Sequence, residues 1–188
     1  GLNSRIKSYY FRSGGPTSDG MPGDNNGHGT HVSGSILGNG ALSATVNKAP
    51  GSGVAPYGTN QFAGVAPGAR VIMIEDFNSY SDTEQAELTY RGGGRLSNNS
   101  WGNSVYEYGT MCALWDALVR DADSSAAGRQ ELTAFFAAGN AGNGGDEGVG
   151  GIPSTVGQPG NAKNVISIGA LEQTRLAHNL VDWLFNGT

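Results

Sequence analysis

The chain has 188 residues, enough for one domain with a sizeable core, and 32 of them are glycine, well above the ~7% of an average chain. No Gly-X-Y period appears, which excludes collagen, and 37% hydrophobic residues gathered in distinct apolar runs exclude disorder. Sixteen acidic against eleven basic residues give a net charge of −5 without a basic patch, which argues against nucleic acid, and no run of ~18 apolar residues is present to span a membrane.

Residues 1 to 27 are polar and turn-rich, and "SGGPTSDGMPGDNNG" reads as surface loop. From His28 the run "HGTHVSGSILG" suits a short helix that stops at Gly38-Asn39-Gly40. Gly34 inside it costs about 1 kcal/mol against alanine, so close packing is expected there. Residues 39 to 68 form a Gly/Ala/Pro/Asn excursion. "ARVIMIEDF" (69–77) has strand length, and its lack of alternation predicts burial on both faces. Ser81 to Glu84 matches a capping box opening a helix of about ten residues. "RLSNNSWG" (95–102) reads as a strand ending in a polar tip. "MCALWDALVRDA" (111–122) carries Met111, Leu114, Trp115, Leu118 and Val119 at helical spacing. "LTAFFAAGN" and "NVISIG" read as two further buried strands, and Leu171 to Thr188 is ambiguous. Cys112 is the single cysteine, so no internal disulfide can form and a small buried hydrophobe is expected. Alternating strands and helices predict an α/β fold, one domain over 1–188, with a parallel sheet and helices on both faces.

Three readings of His28 and His31 compete. As zinc ligands they supply only two nitrogens where a catalytic site takes three protein ligands, and no glutamate lies between them. They can be ordinary surface or core histidines. Or His28 is a general base, held at the first turn of a helix with Gly27 and Gly29 leaving room beside the ring. "FFAAGN" ends a strand where ligands of parallel α/β sheets bind. Asn140 there can offer its amide to a developing oxyanion, or simply serve as a turn residue. Ser100-Trp101-Gly102 exposes backbone to which an extended peptide could add as a strand, or is a plain loop exit.

Together these segments resemble the subtilisin-like serine peptidases. The histidine box of that family is matched by "NGHGTHVSG", its substrate-lining segment by "NNSWG" and its oxyanion-asparagine box by "FFAAGN". "FAGVAPGARVIMI" and "STVGQPGNAKNVISIGA" are similar to two further family segments, all five in the family's order. The resemblance implies a three-layer α/β fold, with His28 as triad base, His31 outside the chemistry and Asn140 as oxyanion donor. It implies that Ser100, Trp101 and Gly102 line one wall of the substrate pocket, with Ala138 and Gly139 on the other. Trp101, Tyr106 and Tyr108 hint at an aromatic-lined groove, whose floor is expected outside the chain.

The sequence departs from the family at both other triad positions. No Asp-Ser/Thr-Gly box is present, and Asp24 is better placed to cap a turn than to orient His28. No Gly-Thr-Ser-Met-Ala box is present either, and the "FNGT" at the end is read as a coincidence. The expectation is therefore a domain incomplete at both ends, inactive by itself, from an endopeptidase acting on peptides or proteins outside the cell or in its envelope. The alternative is a non-catalytic subtilisin-like domain that binds peptides or holds an architecture. Nucleotide binding by "GNAGNGGDEGVGG" is weak, since neither a dinucleotide fingerprint nor a P-loop lysine is present. No cofactor is needed for catalysis. Calcium is a frequent structural ion in the family, and the oxygen-rich loops 19–26 and 143–151 are where one is expected, with no ligand set identifiable.

Overall fold

A computed structural model describes residues 5–10, 24, 26–46, 57–75, 79–143 and 151–170. They fall into two compact units. In the larger, β1 (Ile6–Tyr10) and β2 (Val71–Ile74) pair in parallel, Ile6 opposite Val71 and Tyr10 opposite Ile74. β1 corrects the expectation of a loop over 1–27. The Ile6, Tyr9 and Tyr10 of "IKSYY" are strand formers, and the long turn-rich stretch after them masks the signal. Beyond the ladder, the Tyr9 hydroxyl donates to Glu75 Oε2 at 2.9 Å. Burial first, then Glu75 and the charge of Asp24, push the Tyr9 phenol up to about 12. β2 is half-buried throughout rather than buried on both faces.

The second sheet orders β3 (Leu96–Asn99), β4 (Thr133–Ala137) and β5 (Ile166–Ile168) side by side, all parallel. Between β2 and β3 runs α2 (Asp82–Arg91), which starts on the expected capping box: Ser81 Oγ accepts from the Glu84 amide at 3.2 Å, and Glu84 Oε2 accepts from the Ser81 amide at 2.8 Å. Between β3 and β4 runs α3 (Thr110–Leu118). Parallel strands need such crossovers, and the helices bury their apolar stripes on the sheet.

Ala134 and Phe136 point to one face of β4 and join Ala86, Trp115, Leu118, Val119, Ala122 and Leu132 in a single core. At its centre the Trp115 and Phe136 rings meet edge to face, centroids 4.7 Å apart. Cys112 is fully buried beside this core on α3, as expected of a lone small hydrophobe. Residues paired across parallel strands share a face, so Leu96, Thr133, Phe135, Ile166 and Ile168 look the other way. Leu96 and Ile168 there are 68% and 52% exposed, and β5 is exposed along its whole length instead of buried.

α2 is locked to the turn after α3 by one ion pair. Arg91 donates from Nε and Nη2 to the two oxygens of Asp123 at 2.6 and 2.8 Å, and Ser125 Oγ donates to the same carboxylate at 2.6 Å. Asp123 is buried. The Arg91 guanidinium, then the Ser125 hydroxyl, hold its carboxyl well below the usual range. A depressed folded-state pKa adds stability above the unfolded value and loses it as pH falls toward the folded one. In the full-length protein, Asp123→Asn should therefore lower the urea midpoint at neutral pH. The deficit should shrink below pH ~4, the unfolded carboxylate pKa. A deficit constant from pH 7 to pH 2 would assign the effect to packing instead.

The smaller unit is built on α1 (His28–Leu37). The helix begins after Gly27, whose φ of 81° is left-handed and suits glycine, and it ends at Gly38, as the sequence predicts. The last carbonyls of a helix need outside partners. The extended 64–66 stretch supplies them, its amides donating to Gly38, Ser35 and Ile36 carbonyls at 2.7, 3.1 and 2.8 Å. A Cβ on Gly64 would lie 2.7 Å from Ile36 backbone, while one on Gly34 would meet nothing. The close approach expected at Gly34 thus falls at Gly64.

Candidate functional site

β3 and β4 run parallel with Asn99 opposite Phe136, so the chain leaves both strands at one edge of the sheet. Ser100-Trp101-Gly102 follows β3 and Ala138-Gly139-Asn140 follows β4. These five candidate wall residues and the oxyanion candidate accordingly share one strand-end edge, the kind of place where parallel sheets bind ligands.

Each segment is held by identifiable contacts. Asn99, 5% exposed, donates from Nδ2 across the sheet to the Phe135 carbonyl at 3.3 Å and to Ser97 Oγ at 3.0 Å, bracing the last residue of β3. Ser100 Oγ accepts from Asn98 Nδ2 at 3.1 Å. Trp101 turns its ring inward, edge to face on Phe136 at 5.3 Å and 6.2 Å from Trp115. Its side chain is partly buried and packs against the core. Tyr108 donates its hydroxyl to Asp116 on α3 at 2.8 Å, with Lys163 Nζ 4.7 Å from its ring centre, so its polar end is also taken. Gly139 has φ 97°, a conformation that a side chain at this bend would strain. Asn140 is exposed, and its amide makes no hydrogen bond among the described residues.

A third segment joins the two. The Gly157 amide approaches the Ala138 carbonyl at 3.4 Å, while the Gln158 carbonyl accepts from the Asn103 amide at 2.9 Å. Residues 155–160 thus bridge the exits of β3 and β4. Neither Gln158 nor Asn99 stands out in the sequence, because their partners are distant in the chain.

His28 belongs to the other unit, where it is the first residue of α1 and exposed. His31, one turn on, is exposed too, and its amide donates to the Gly27 carbonyl at 2.9 Å. Asp24 is exposed and its charge acts on Tyr9. Most of the two loops expected to suit calcium lies outside the described residues, as does Leu171 to Thr188. Among the described residues no group of three or more His, Cys, Asp or Glu is gathered to hold a metal. None of their helices is long and apolar enough to cross a membrane.

Beside this geometry stands a match along the chain. The subtilase family of S8 peptidases matches residues 2–182, nearly the whole length. No curated protein matches the chain.

Proposed function

The chain belongs to the subtilase family, whose members are serine peptidases acting on peptide substrates, and we propose that it is the central part of an endopeptidase, carrying the general base and the oxyanion donor. Asn140 carries the reading: an exposed amide with no hydrogen bond among the described residues, at the carboxyl end of β4. A turn asparagine would ordinarily bond its own backbone, whereas an oxyanion donor must be left open for substrate.

In this reading His28 takes the proton of a serine hydroxyl as its oxygen attacks the scissile carbonyl. The tetrahedral intermediate places its negative oxygen before the Asn140 amide. Collapse breaks the peptide bond, and His28 returns the proton to the leaving amine. Water then repeats the sequence on the acyl-enzyme with His28 again as base. Substrate backbone adds beside Ser100 to Gly102, and its side chain lies between that wall and Ala138-Gly139. The aspartate that orients His28 and the serine itself are supplied by sequence outside 1–188, since neither family box occurs within it. The chemistry requires no cofactor; a calcium ion in the loops 19–26 or 143–151 has a structural role only. The reading carries with it a location outside the cell or in its envelope.

The test is digestion of an unfolded protein substrate by the full-length protein. Internal cleavage is expected, and none by residues 1–188 alone. Absence of cleavage by the full-length protein, or release of terminal residues only, would count against an endopeptidase.

A further inference from the structure

The sequence holds four Asn-Gly steps, at Asn26, Asn39, Asn143 and Asn186. An asparagine before glycine is chemically labile, because no side chain on the glycine shields its amide nitrogen from the asparagine carboxamide. That nitrogen gives up its proton and bonds to the side-chain Cγ, ammonia leaves, and a cyclic imide joins the two residues. Water then opens the imide at either carbonyl, leaving aspartate or, with the main chain rerouted through the side chain, isoaspartate. The reaction takes no enzyme and no reagent but water. It does take room and a backbone able to turn, so the fold decides which asparagines convert.

The two steps that lie wholly within the described residues differ in this respect. Asn39-Gly40 is held. Asn39 bridges Ala63 through its backbone, and its Oδ1 accepts from the Ala41 amide at 3.1 Å. The Gly40 carbonyl accepts from the Ser43 amide at 2.9 Å and from the Ser43 hydroxyl at 2.7 Å, and a Cβ on Gly40 would stand 2.7 Å from Asn60 Cα. Asn26-Gly27 stands in the open. Both residues are exposed, and a Cβ on Gly27 would meet nothing within 4 Å. Gly27 caps α1, so its carbonyl rather than its amide enters the helical ladder, accepting from the His31 amide at 2.9 Å. Closing the imide there breaks no helical hydrogen bond.

The product carboxylate lands two residues before His28. α1 opens with no acid in its first turn and no side-chain cap, and a helix N-terminus favours negative charge, so the fold accommodates it. Among the described residues of this unit the titratable side chains are Arg5, His28, His31 and Tyr57, with no acid among them. We propose that Asn26-Gly27 is a self-modification site that converts as the folded protein ages. The carboxylate it creates favours the protonated form of the His28 imidazole and so narrows the pH range over which His28 acts as a base. The consequence for activity rests on the peptidase reading; the conversion itself does not.

The test stores the full-length protein in mildly alkaline buffer and follows positions 26 and 39 by peptide mapping. Aspartate and isoaspartate should accumulate at position 26 while Asn39 stays intact. An unchanged Asn26, or equal conversion at both positions, would overturn the site. Asn26→Asp reproduces the charge, whereas Asn26→Gln keeps a neutral amide and resists ring closure; both replace an exposed side chain outside α1. In Asn26→Asp and in stored wild type, the acid limb of kcat/KM should move to higher pH by about half a unit, the size expected of two exposed charges two residues apart. Stored Asn26→Gln should keep the limb of the fresh protein. A limb unmoved in Asn26→Asp, or a loss equal at every pH, would overturn the effect on His28. A fresh wild type that cleaves no peptide removes the peptidase reading and that effect together, while the mapping still decides the conversion.

Discussion

In the full-length protein His28→Ala should lower kcat by about 10⁶, the loss known for the triad histidine of a subtilisin, a member of this same family. The size follows from the double use of the base. Without it the serine keeps its proton during attack, and the amine leaves unprotonated. Stability should hardly change, because His28 is exposed at the first position of α1 and surface substitutions usually stay within ~0.5 kcal/mol. His31→Ala is the internal control. It is equally exposed on the same helix, its backbone amide bond to Gly27 survives the change, and kcat should stay within its original order of magnitude. Comparable losses from the two variants, measured alongside their melting curves, would point to helix damage rather than to a base.

Asn140→Leu should lower kcat by ~10²–10³ with little change in KM, again the cost known from a subtilisin. The oxyanion exists only in and around the transition state, so its donor contributes little to binding the ground state. Leucine is close to asparagine in size, and the amide it replaces makes no hydrogen bond among the described residues, so no internal bond is lost. Steady-state kinetics decide the matter. A raised KM with kcat intact would make Asn140 a substrate-positioning residue or a turn former.

What is legible in the sequence is mostly local. The Ser81–Glu84 capping box and the Gly27–Gly38 brackets of α1 act over three or four residues, and both ends stand where the pattern puts them. The five family segments point to the class of fold and the family, because their order along the chain is itself information. What stays hidden depends on neighbours far away in the chain. The requirement for glycine falls at Gly64, since only the folded chain lays that residue on the end of α1. No local pattern says which way a strand-end side chain such as Trp101 turns, and Phe136, against which its ring packs, lies in the next strand of the sheet, beyond a whole helix. Gln158 reaches Glu107 across 51 positions, so nothing near it announces its role. β1 is a different failure. Its strand-forming residues are visible, and a long turn-rich neighbourhood outweighs five residues.

The central claim is that His28 serves a serine nucleophile lying outside residues 1–188. Reaction of the full-length protein with an organophosphonate, followed by mapping of the modified residue by mass spectrometry, tests it most directly. One serine beyond residue 188 should be labelled in the wild type, and the label should fail to form in His28→Ala, because the reagent requires an activated hydroxyl. Labelling of a serine within residues 1–188, or labelling that persists without His28, would contradict the claim.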